Sequence, residues 1–100
     1  MTGPGKPRDF RITTEGVEFI DFTWTHPESG PPAQYEIKLV SGAVEGPEHW
    51  VWADIDGQLT TYRPEKGGEH STSGGTHTFH LTAIDAQGHR SVPAVASVEL

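Results

Sequence analysis

The stretch His77-Thr78-Phe79-His80-Leu81-Thr82-Ala83-Ile84, followed by Asp85-Ala86-Gln87-Gly88-His89-Arg90-Ser91, decides how this chain folds. Phe79, Leu81 and Ala83 alternate with Thr78, His80 and Thr82. That period of two describes a strand with one face on a core and the other on water. The polar, glycine-containing run after it is a turn, and Ala94-Val95-Ala96-Ser97-Val98-Glu99-Leu100 reads as the returning strand. A hairpin with one apolar face must be covered by a second layer, so the remaining residues have to supply another sheet.

Composition agrees with that demand. With 33% hydrophobic residues, 12 Gly and 8 Pro, the chain suits short strands joined by turns. No window of about 11 residues carries apolar side chains at i, i+3, i+4 and i+7 without Gly or Pro interrupting it. The expected class is all-β. One hundred residues support one core and one domain. Residues 1–7, with two Pro and two Gly, read as a flexible lead-in, and 8–100 as the domain.

Upstream of the hairpin, Phe10 to Thr14 is a first strand, with Phe10 and Ile12 on one face, and Glu15-Gly16 is a turn. Val17 to Thr25 follows, placing Ile20, Phe22 and Trp24 on one side and Phe19, Asp21 and Thr23 on the other. His26-Pro27-Glu28-Ser29-Gly30-Pro31-Pro32 stops it, because proline cannot donate to a ladder. Tyr35 to Val40 alternates again, with Tyr35, Ile37 and Leu39 inward, and Ser41 to Pro47 is loop. His49 to Ile55 is closed by Asp56-Gly57, a favoured tight-hairpin dipeptide, from which Leu59 to Tyr62 is expected to pair back. Arg63 to Thr76 is polar, glycine-rich and aperiodic, and is expected to be a mobile loop.

Taken together, Pro7-Arg8-Asp9-Phe10, Phe22-Thr23-Trp24-Thr25-His26-Pro27, Tyr35-Glu36-Ile37, Phe79-x-Leu81-x-Ala83, Gly88 and Ser91 resemble a fibronectin type III domain. The resemblance implies a seven-stranded antiparallel two-sheet sandwich, with strands A, B and E facing C, C′, F and G. Two positions depart from the family pattern. His77 stands where the family has a strand-F tyrosine, and the Leu-x-Pro-Gly lead into that strand is replaced by the long polar loop. A tight Asp56-Gly57 hairpin would moreover keep its two flanking strands in one sheet, pointing toward another Ig-like topology.

The chemistry-bearing residues exclude several classes. Absence of cysteine removes disulfides, thiolate zinc sites and thiol nucleophiles. His77 and His80 point to opposite faces of a strand and cannot share a metal. Asp54-x-Asp56-Gly57 reads as a turn with polar ends, because the glycine of a calcium loop would fall at Leu59. No metal and no cofactor are expected. There is no Gly-x-Ser-x-Gly, and so small a sandwich offers no deep pocket, so the chain is read as not an enzyme. A formal charge of −7, from 14 acidic against 7 basic residues, opposes nucleic acid and anionic membrane surfaces. No apolar run approaches ~18 residues, and the first residues lack the apolar core of a signal peptide.

Two groups remain as binding candidates. Trp50 and Trp52 share one face, opposite Val51, Ala53 and Ile55, and strict alternation lets only one set line the core. With the smaller set inside, two indoles stand side by side and, with Tyr62, suit sugar stacking or a protein interface. With the tryptophans inside, they cap the core. The turn Asp85–Arg90 contributes Gln87, His89 and Arg90 as adaptable polar groups on a rigid scaffold. The expected function is a non-catalytic interaction or structural module with a protein partner or larger assembly. It would act as an accessory, decoration-type protein on an assembly such as a phage particle, or as a spacer or docking domain of a secreted or surface protein. The alternative is a carbohydrate-binding module using the tryptophan pair.

Overall fold

A computed structural model describes residues 4–15, 19–41, 51–63 and 76–99. Trp50 and most of the 63–76 loop lie outside the described residues. The described residues form seven strands: β1 (Arg8–Glu15), β2 (Phe19–Thr25), β3 (Gln34–Ser41), β4 (Val51–Asp56), β5 (Thr61–Tyr62), β6 (Thr76–Ile84) and β7 (Ala94–Glu99). They form two antiparallel sheets in the orders β1-β2-β5 and β4-β3-β6-β7. This is the two-sheet sandwich that the family resemblance implied, with the same sheet membership.

The period-two pattern does what it predicted. Ile20, Phe22 and Trp24 from one sheet meet Tyr35, Ile37, Leu39, Phe79, Leu81 and Ala83 from the other, all buried. Register completes the fit. Tyr35 lies opposite Ala83, Ile37 opposite Leu81 and Leu39 opposite Phe79, while Phe79 and Leu81 meet Ala96 and Ala94 on their other side. Large side chains thus pair with small ones across the β6–β7 ladder, which lets the two layers interdigitate. Phe22 sits at the centre, with ring centroids 5.1 Å from Phe79, 5.6 Å from Trp52 and 6.1 Å from Phe10. Trp24 meets Tyr35 edge-on at 5.1 Å. The indole nitrogen of Trp24 is buried and reaches no hydrogen-bond partner among the described residues, so its contribution is area and ring contact.

Two expectations around residues 52–62 need correction, and both corrections have a local cause. Asp56-Gly57 does not close a hairpin. The Asp56 side chain accepts from the Gln58 amide at 2.9 Å and its carbonyl from the Leu59 amide at 3.0 Å, so the turn folds on itself. The Gly57 amide donates to Ala33 O at 3.2 Å, and the Trp24 amide donates to Thr60 O at 3.0 Å. These bonds carry the chain across to the other sheet. There β5 pairs with β2, Tyr62 opposite Phe22 and Thr61 opposite Thr23, and not with β4. Turn propensity is a local signal, and the non-local bonds to residues 24 and 33 override it.

The choice between the Trp52 set and the Ile55 set also dissolves. On β3, Tyr35 pairs with Ile55 and Ile37 with Trp52, so three steps of β4 oppose two of β3. The extra residue is a β-bulge, and Asp54 carries it at φ 60°. Trp52 and Ile55, three apart, therefore both face inward: Ile55 is buried and Trp52 half-buried against the core. Asp9, at φ 52°, does the same in β1, where Arg8 and Arg11 pair with Thr25 and Thr23. Asp and Asn tolerate this left-handed region and β-branched residues do not. Asp54→Val is expected to cost about 1–2 kcal/mol in urea unfolding, and Asp54→Asn close to nothing. Equal losses in both variants would place the effect in the carboxylate and not in the backbone.

Candidate binding tip and aromatic edge

The tip between β6 and β7 is built on Asp85. Its Oδ1 accepts the amides of Gln87 at 3.0 Å and His89 at 2.8 Å, and its Oδ2 lies 3.1 Å from His89 Nδ1. Asp85 and His89 also bond amide to carbonyl at 3.0 Å, and Gly88, at φ 87°, donates to the Asp85 carbonyl. Arg90 leaves the tip and forks onto Glu36 of β3, with Nη1 at 2.8 Å and Nη2 at 3.3 Å. Buried Ser91 closes the loop below: its hydroxyl accepts the Ala83 amide at 3.0 Å and donates to Val92 O at 2.9 Å. The tip is thus a pre-organised turn, whose cost of ordering on binding is small.

The 26–33 loop stands beside it. The Ala33 amide donates to Ile84 O at 3.0 Å, and Gly30, at φ 101°, donates to Pro27 O at 2.8 Å. Tyr35 Oη lies 2.7 Å from His26 Nδ1. Burial pushes the Tyr35 phenol above its usual range. Pro7, assigned to the lead-in by sequence, is fully buried, and the Gly5 amide donates to Ser29 Oγ at 3.1 Å. A shallow cleft of about 460 Å³ separates the two loops, with Pro4, Pro31, Pro32 and Asp85 on its walls.

The predicted tip residues therefore share one turn but differ in freedom. His89 is held by Asp85 and Arg90 by Glu36, while the exposed Gln87 side chain makes no hydrogen bond among the described residues. Sequence reasoning missed Asp85 and Glu36 as organisers. The Asp-x-x-Gly spacing was a usable turn signal for Asp85, but nothing local links Glu36 to a residue 54 positions away.

The aromatic candidates gather elsewhere, where β4 meets β5. Trp52 packs at 6.4 Å from Tyr62, 6.3 Å from Phe79 and 5.6 Å from Phe22. Both Trp52 and Tyr62 are half-buried against the core. Much of the Trp52 ring is thereby occupied inside the fold. Next to it, Arg63 forks onto Asp21, with one nitrogen on Oδ1 and Nη2 at 2.8 Å from Oδ2.

Two carboxylates are held below the usual aspartate range. For Asp21 the Arg63 hydrogen bonds dominate. For Asp85, desolvation works upward, but the combined hydrogen bonds from His89 and Gln87 outweigh it. Arg90 is shifted upward by the Glu36 hydrogen bond and charge. A carboxyl lowered in the folded state stabilises above its unfolded value, and that contribution is lost as pH falls through the folded value. The urea midpoint is therefore expected to drop as pH is taken below about 4. Asp21→Asn and Asp85→Asn should each flatten that acid limb; unchanged profiles in both variants would remove these pairs as its cause.

Comparison with solved structures places the fold. The crystal structure of FN3tt superposes with a TM-score of 0.68 at 21% identity over 99% of this chain and 96% of that one. The fibronectin type III domain of human collagen XX gives 0.62 at 14% identity, over 93% and 90%. The Clostridium perfringens spore cortex lytic enzyme SleM gives 0.78 at 13% identity, with all of this chain matching 29% of that one. No protein-family model and no curated protein sequence matches the chain.

Proposed function

We propose that this chain, which has the fibronectin type III fold, is a non-catalytic module that engages a protein partner through the Gln87–Arg90 tip. Domains of this fold serve as interaction and structural modules, and the FN1–FN3 domains of chicken CNTN1 share the fold. The observation that carries the reading is the tip itself, an exposed turn fixed by the Asp85 hydrogen bonds and by the Arg90–Glu36 fork. Rigid polar tips on a packed scaffold bind with little ordering cost. Two settings suit such a module: docking on a larger assembly in the manner of a decoration protein, or serving as a spacer and docking domain in a secreted or surface protein.

The carbohydrate alternative draws on Trp50, Trp52 and Tyr62, and the inward packing of Trp52 weakens it. Two measurements separate the readings. Immobilised protein should capture a partner from extracts of the source organism, and Gln87→Ala with His89→Ala should abolish that capture. Titration with polysaccharides should leave tryptophan fluorescence flat. A saturable fluorescence change, with capture unaffected by the tip variants, would replace this reading with the sugar one.

A further inference from the structure

A two-sheet sandwich has four edge strands, and each presents unpaired backbone donors and acceptors to any passing strand. Three of the four are blunted here. The β1 edge is bulged at Asp9 and bears exposed Arg8 and Arg11; β4 is bulged at Asp54; β5 is two residues long. The fourth is not. β7 pairs with β6 in unbroken register from Ala94 to Glu99, and carries no charge or proline before Glu99. The two most exposed large apolar side chains among the described residues flank its start: Val92 at 69% and Val95 at 58%. Among the described residues no ladder joins β7 to β1, although the two strands lie close alongside each other. Between them lies a cleft of about 420 Å³ lined by Lys6–Phe10, Ala94 and Val95.

The charge at that cleft is opposite to the charge of the whole chain. Its lining holds Lys6 and Arg8 against Asp9, a net charge of +1 in a protein of net charge −7. Arg8 Nε donates to His26 O at 2.9 Å, and Asp9 Oδ2 accepts from Thr25 Oγ1 at 3.4 Å, on the β2 side. Lys6 is exposed and makes no ion pair among the described residues.

We propose that β7 is an acceptor edge to which an extended acidic segment of a partner protein adds as a further strand. Main-chain bonds to β7 would supply the affinity, and Val92 and Val95 the apolar contacts for alternate side chains. Lys6 and Arg8 would set the preference for carboxylates. A second copy of this chain is a poor occupant, because two bodies of charge −7 repel. This surface is distinct from the Gln87–Arg90 tip, so it goes beyond the reading above.

The test titrates the full chain with a capped peptide alternating Glu and Val, and with its Lys–Val counterpart, following backbone amides by NMR. The Glu–Val peptide should shift the amides of 94–99 and leave those of β4 in place. Binding should weaken about tenfold in Lys6→Glu and in Val95→Glu, and weaken likewise at raised salt. Both substituted positions are exposed, and unchanged spectra of the free variants verify the fold. Equal binding of both peptides, shifts confined to other strands, or concentration-dependent dimerisation through 94–99 would each overturn the proposal.

Discussion

Gly57→Ala is expected to destabilise this protein by about 3 kcal/mol, at the upper end of what overpacking costs. An added Cβ would lie 2.0 Å from Pro32 O and 2.7 Å from the carbonyl carbons of Pro32 and Ala33. All three atoms are backbone, so no side chain can rotate away. Relief requires separating the turn from residues 32–33, which breaks the Gly57–Ala33 hydrogen bond. Gly88→Ala is the informative comparison. Its Cβ would meet nothing within 4 Å, so only the φ of 87° is penalised, at about 1–2 kcal/mol. Urea unfolding of both variants should rank Gly57→Ala as the more damaging. The reverse order would mean that the chain does not cross between sheets against residues 32–33.

Phe22→Ala is expected to be more severe, at about 3–5 kcal/mol. Phe22 is wholly buried and meets rings from β1, β4 and β6, which belong to both sheets, so its loss opens a cavity with walls from each layer. A domain of this size holds roughly 5–15 kcal/mol in total. Thermal unfolding should therefore move down by about 15 °C or more. Val95→Ala, at an exposed position on β7, should change stability by no more than about 0.5 kcal/mol. A shift of only a few degrees for Phe22→Ala would show that the two layers do not meet at this ring.

The parts of the fold that could be read from sequence are those governed by alternation. The β2, β3 and β6 stripes each gave three inward residues, and all of these are buried. Alternation failed where one residue was added to a strand. Asp54 leaves no periodic trace, yet it shifts the phase so that Trp52 and Ile55 both turn inward. The Asp56-Gly57 signal misled for a different reason. It reported a real turn, but the partner of the strand after it is chosen by contacts with Trp24 and Ala33, far away in sequence. The tip residues were singled out because loops on such a scaffold are exposed. Their restraint by Asp85 and Glu36 depends on register between β3 and β6, which sequence alone does not set. The open β7 edge was equally hidden, since it emerges only when the other three edges are compared.

The passage of residues 56–61 from one sheet to the other is what makes this a fibronectin type III sandwich. Interstrand backbone NOEs measure it directly. The account predicts cross-peaks joining Thr61 to Thr23 and Tyr62 to Phe22, with none between 60–62 and Val51–Ile55. A ladder of cross-peaks running from 59–62 back onto Val51–Ile55, as a two-residue hairpin would give, would contradict it.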